Sequence, residues 1–131
     1  MDLQRFFDVS PAILTLRIEH CGALVTQTRN ASPIVNRPST REFAELVLYP
    51  TVMSLLEKHS TVTGAAFTFM RVTFETHDDI LVPLPHGFLC ATVASGAPSA
   101  LSEALIDVAL SAGLGSNRLG ALAEDALVVG S

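Results

Sequence analysis

The chain contains no tryptophan, one tyrosine, two cysteines and eight lysine or arginine residues in 131 positions. Two cysteines, Cys21 and Cys90, are too few for a disulfide-built mini-protein and read as two buried thiols in a reducing compartment. Eight basic residues against 13 acidic ones leave a net charge of −5, which argues against an ordinary basic nucleic-acid-binding domain. No apolar run approaches the ~18 residues that a membrane span requires. The opening Met1-Asp2-Leu3-Gln4-Arg5 carries an acid and no apolar core follows it, so no secretory signal and no membrane contact are expected. Charged residues make up only 16% of the chain and hydrophobic ones 49%, the reverse of a disordered tail. What remains is one domain, 1–131, with enough apolar residues for a core and a tendency to lean on a partner.

The charge is uneven. Residues 1–74 carry seven basic residues against six acids, whereas residues 75–131 carry Arg118 alone against seven acids. Between Thr26 and Arg41 there are three arginines and no acid, so a surface for an anion is to be sought in the first half.

Hydrophobic spacing divides the chain. Residues 12–20 alternate, with Leu14, Leu16 and Ile18 on one face, and read as a half-buried strand; Cys21-Gly22 then turns into Ala23–Thr28, giving an N-terminal hairpin within 1–28. Residues 29–40 read as a loop. Residues 41–59 are ambiguous: Glu42, Ala44, Leu46, Leu55, Leu56, Glu57 and Lys58 favour helix, while Pro50 splits the stretch into two segments of strand length. Ala65–Glu75 is the clearest strand, His77-Asp78-Asp79 reads as a turn, Ile80–Leu84 as an edge strand bent by Pro83, and Gly87–Ser95 as another strand. From Pro98 the period becomes helical, with Leu101, Ala104, Leu105, Val108, Ala109 and Ala112 on one stripe and Gly113 as the stop; a second, shorter helix follows through Leu127.

No constellation for covalent chemistry emerges. Gly113-Leu-Gly115-Ser-Asn-Arg-Leu-Gly120 follows a helix rather than a strand and reads as a helix stop and hinge. His77, Asp78, Asp79 and His86 lack metal-ligand spacing, Cys21 beside His20 is not selected as a nucleophile, and there is no serine elbow. No catalytic residue, metal or cofactor is therefore expected. A half-polar sheet face remains, with Arg71 and Thr73 on one parity of their strand and Ser54 and Lys58 on one parity of 51–59. Such a face is suited to phosphates and splayed bases.

In the order of its elements, the chain resembles the coat proteins of single-stranded RNA bacteriophages of the levivirus type. Thr51–His59, the turn around Ser60–Gly64 and Ala65–Glu75 look like that family's central strand pair, Phe88–Ser95 like its last strand, Ala97–Gly113 like its long helix and Ser116–Leu127 like its terminal one. The resemblance implies an α+β fold. An N-terminal β-hairpin precedes an antiparallel sheet of about five strands (41–95), and two C-terminal helices (97–128) pack on the sheet of a dimer partner. It further implies an obligate homodimer that assembles an icosahedral shell in the bacterial host cytoplasm and packages genomic RNA, with an RNA hairpin as operator. The candidate RNA contacts are Ser54, Lys58, Arg71, Thr73 and, at the margin, His86. A different class stands beside it: a ferredoxin-like βαββαβ domain with 41–59 helical, acting as a small RNA-processing enzyme or a protein-binding inhibitor.

Overall fold

A computed structural model describes residues 3–28 and 47–114. Eight elements occur there: α1 (Gln4–Phe7), β1 (Ile13–His20), β2 (Ala23–Thr28), α2 (Tyr49–Thr63), β3 (Met70–Thr73), β4 (His77–Leu84), β5 (Gly87–Ala94) and α3 (Ala100–Ser111). The fold is α+β. Its five strands form one antiparallel sheet in the order β2-β1-β5-β4-β3.

Strand alternation sorts the side chains into two layers. On one face, Leu16 and Ile18 of β1, Ile80, Val82 and Leu84 of β4, and Leu89, Ala91 and Val93 of β5 pack against Phe6 and Phe7 of α1 and Leu101, Leu105 and Ala109 of α3. On the other, Leu81, Phe88 and Cys90 pack against Tyr49 and Met53 of α2, with Met70 and Val72 beside them. β4 and β5 are thus buried on both faces, which accounts for their nearly continuous burial. In the single chain α3 lies on its own subunit's sheet.

The N-terminal hairpin forms at the expected residues. His20 pairs with Ala23, and Cys21 (φ 53°) and Gly22 (φ 80°) both take positive φ, the geometry of a two-residue type I′ turn. It is not a separate arm, however, because β1 also pairs along its length with β5 and so belongs to the sheet. The sheet therefore spans 13–94 rather than 41–95. A bulge between Ile13 and Thr15 breaks the expected alternation: Ile13 and Thr15 are buried, and Leu14 is only half-buried.

The largest correction concerns Thr51–His59, which is helix and not a strand. Pro50 lies in the first turn, where its missing N–H is an orphan in any case, so the residue that seemed to break a helix begins one. Gly64 in the left-handed conformation ends it, its N–H donating to the Ser60 carbonyl at 2.9 Å. Ser60–Gly64 is therefore the last turn and cap of α2. Residues 42–46, read as strand or helix, lie outside the described residues, as does the second C-terminal helix. The helical reading of 41–59 is met over 49–59, but the strand order is not that of a βαββαβ domain.

Three strand readings also change. Asp78 and Asp79 lie inside β4 rather than in a turn. β4 is an interior strand despite Pro83, which pairs across the two-residue turn's neighbouring position with Phe88. The side of Pro83 that would carry an N–H faces beyond the start of β3, so no ladder bond is lost. For the same reason β3 is short: its register sets Met70 opposite Leu81, and an upstream extension would bring Thr68 opposite Pro83. Only Met70–Thr73 of the expected Ala65–Glu75 pairs.

Gly87 closes β5 onto β1. A Cβ at this position would fall 1.8 Å from the Glu19 carbonyl oxygen, a backbone atom that cannot swing away. Gly87→Ala is therefore expected to destabilise the fold at or above the upper end of the roughly 1–3 kcal/mol that overpacking costs, measured by urea unfolding. Gly22→Ala, where nothing lies within 4 Å, carries only the positive-φ penalty of roughly 1 kcal/mol.

Candidate functional site

The five expected RNA contacts do not converge. Ser54 and Lys58 lie on α2 and are exposed, on the layer opposite to that of Arg71. Arg71 and Thr73 share one parity of β3, facing the α1/α3 side. His86 lies in the turn between β4 and β5, roughly 20 Å along β4 from Thr73 at ~3.3 Å per residue. The helix at 49–63 is what separates the set, since only a strand there would have continued a common sheet face.

Arg71 is held within the fold. Its Nε and Nη2 both donate to Asp78 Oδ2, at 3.0 and 2.7 Å, and its other donations go to the Ala97 carbonyl at 2.8 Å and the Pro98 carbonyl at 3.3 Å. This guanidinium ties β3 to β4 and to the entry of α3. Its side chain is 20% exposed, against 6% for Asp78, so little of it is offered to a phosphate.

Asp79, next in sequence, points to the other layer. It accepts the Tyr49 hydroxyl at 2.5 Å on Oδ2 and the Thr92 hydroxyl at 2.8 Å on Oδ1. This buried network pins the start of α2 to β4 and β5. Sequence reasoning missed it, because His77-Asp78-Asp79 followed by an apolar run shows no alternation; it is the strand conformation that sends two adjacent carboxylates to opposite faces.

At the turn end of the sheet, Cys21 Sγ lies 3.9 Å from His20 Nε2, the His20 and His86 ring centroids are 6.3 Å apart, and the Cys21 N–H donates to the His86 carbonyl at 2.9 Å. Of the two thiols read as buried, Cys90 is buried and Cys21 is exposed in the hairpin turn. Among the described residues no three His, Cys, Asp or Glu side chains are gathered to hold a metal ion, and no helix is long and apolar enough to cross a membrane.

Between α2 and the same end of the sheet lies an open cleft of about 410 Å³. Pro50, Met53, Ser54 and Glu57 line it from the helix at positions i, i+3, i+4 and i+7. Glu19, Pro83, Gly87 and Phe88 line it from the sheet. Glu57 Oε1 is buried and has no hydrogen-bond partner among the described residues.

No family model matches this chain, and no curated protein is detectably similar to it.

Two variants test whether these polar groups hold the fold. Arg71→Ala is expected to lower the unfolding free energy by roughly 2–3 kcal/mol, less than the loss of a fully buried pair because Arg71 is partly exposed. Tyr49→Phe removes a donor to a buried carboxylate and should cost about 1.5–3 kcal/mol. Both are read by chemical denaturation with circular dichroism; an Arg71→Ala protein of unchanged stability would return that residue to the surface.

Proposed function

We propose that the chain is a non-catalytic, self-associating structural subunit whose primary contact is made by α2. The observation that carries this is an exposed apolar stripe. Leu48 (helical φ/ψ) and Leu55 and Val62 of α2 recur every seven residues and are 45%, 59% and 86% exposed. Seven-residue spacing places the three on one flank, away from the Tyr49, Met53 and Ser60 face that is buried against the sheet.

The stripe is self-complementary. In an antiparallel pair of α2 helices centred on Leu55, each Leu55 meets its own copy and Leu48 of one copy meets Val62 of the other. The intervening positions, Thr51, Val52, Lys58 and His59, bring no acid into the seam. Large side chains left in water at this spacing are what a two-fold interface covers. The 49% hydrophobic composition agrees with a subunit that buries more on association than a monomer can.

This reading keeps one part of what the coat-protein resemblance implies, a homodimer as building block. The RNA-binding part has less support, since Ser54, Lys58, Arg71, Thr73 and His86 are dispersed and Arg71 is engaged with Asp78.

Size-exclusion chromatography with light scattering measures the outcome directly. The expected result is a dimer of the 13.9 kDa chain at micromolar concentration, converted to monomer by Leu55→Asp with helical content retained. A wild-type monomer under these conditions would overturn the proposal. A megadalton species carrying host RNA would extend it to a shell.

A further inference from the structure

The two edges of the sheet are finished differently. β3 is four residues long, carries Arg71, and is half-buried except at Thr73. β2, at the other edge, has six residues, Ala23-Leu24-Val25-Thr26-Gln27-Thr28, every one exposed, and neither apolar layer includes any of them. Leu24 is 49% and Val25 37% exposed, on opposite faces. Folds ordinarily guard such an edge with a charge, a proline or a bulge. The segment 23–28 has no charged residue and no proline, and its register with β1 runs unbroken from His20↔Ala23 to Thr15↔Thr28. Among the described residues no strand pairs with its outer side.

The hairpin fixes which backbone groups point outward. A two-residue turn makes His20 and Ala23 a hydrogen-bonded pair, and pairs of that kind recur at every second residue, so Ala23, Val25 and Gln27 bond to β1. The N–H and C=O groups of Leu24, Thr26 and Thr28 point away from it. We infer that these groups pair with β2 of a second copy, antiparallel and centred on Thr26, joining two sheets edge to edge. The occupant is a second copy because the strand is complementary to itself. A two-fold axis normal to the sheet keeps each face on its own side, so residues of one parity must meet. Thr26 then lies opposite Thr26 of the copy, Leu24 opposite Thr28, and Val25 opposite Gln27. Every outward residue meets an outward residue, and no like charges are brought together. Because neither helix layer reaches β2, the incoming strand meets neither.

This contact is separate from the one proposed for α2, which rests on β3, β4 and β5 at the other side of the sheet. Neither needs the other, and a chain with both two-fold contacts builds assemblies larger than a dimer. A single strand pair is smaller than the roughly 1,200 Å² at which stable interfaces begin, so its dissociation constant is expected on the order of 100 µM, and the α2 contact sets the state at micromolar concentration.

The test uses the full chain carrying Leu55→Asp, so that α2 does not contribute, with the wild type in parallel. Sedimentation velocity from about 5 µM to about 1 mM is expected to show Leu55→Asp passing from monomer to dimer and the wild type from dimer to larger species. Amide exchange read by NMR locates the contact. Leu24, Thr26 and Thr28 should gain protection as concentration rises, while Val25 and Gln27 are protected by β1 throughout. Adding Thr26→Lys or Thr26→Glu sets like charges opposite one another and should weaken the association roughly tenfold, and mixing the two proteins should restore it. Retained protection of Val25 and Gln27 shows that each variant keeps its hairpin. No concentration-dependent protection at the three outward amides, protection there already at the lowest concentration, or undiminished association of a folded Thr26→Lys would each overturn the assignment. If Leu55→Asp sediments as the wild type does while the three amides respond as expected, the α2 contact falls and this one stands.

Discussion

The structure depends on β4 and β5 being covered on both faces. Once that pair occupies the middle of the sheet, every side chain on it must go into one apolar layer or the other, including the two adjacent carboxylates of β4. Alternation sends Asp78 to the α1/α3 layer and Asp79 to the α2 layer, and each layer supplies hydrogen-bond donors to its own. Asp78 receives the Arg71 guanidinium, and Asp79 receives the Tyr49 and Thr92 hydroxyls. Burying a carboxylate without such partners is among the costlier errors a fold can make. Those contacts therefore fix where β3 pairs and where α2 begins.

The two layers differ in kind. The α1/α3 layer is a continuous apolar core with Phe6, Leu16, Ile80, Leu89 and Leu105 at its centre. The α2 layer is smaller and includes buried polar residues, Thr15, Arg17, Asp79 and Thr92, on the sheet beneath it. α2 rests on this surface by Tyr49 and Met53, leaves a cleft at one side and turns an apolar stripe outward. The self-association proposed as the function belongs to this helix, through Leu48, Leu55 and Val62.

Several elements were legible from local pattern because local chemistry determined them. The Cys21-Gly22 turn needed two positive-φ residues between alternating segments, and it has them. The run from Gly87 to Ala94 could hardly be other than a buried strand, and the spacing of Leu101, Leu105 and Ala109 could hardly be other than helical. The stretch around Pro50 was not legible, because proline is compatible with a helix start and incompatible with a helix middle; which applied depended on where the helix began. The expected binding face divides at this point, since Ser54 and Lys58, four residues apart, still share a flank of a helix, but that helix covers the side of the sheet opposite to Arg71. The engagement of Arg71 was not legible either, because Asp78, its partner, reads as part of a turn in the sequence and lies inside β4 in the fold.

The sequence by itself determined the class of the protein: an α+β fold, rich in apolar residues and net acidic, with a hairpin early, strands in the middle and a helix after Pro98. Those follow from composition, turn chemistry and periodicity, which act over a few residues. Only the tertiary structure decided that the hairpin joins the sheet, that 49–63 is helix, and that Asp78 and Asp79 are buried and paired. Each of these rests on partners far along the chain, Cys90 and Leu89 for β1, Leu81 and Phe88 for α2, Arg71, Tyr49 and Thr92 for the carboxylates. Burial against such partners outweighs a local preference of a few tenths of a kcal/mol per residue, on the order of helix and strand propensities.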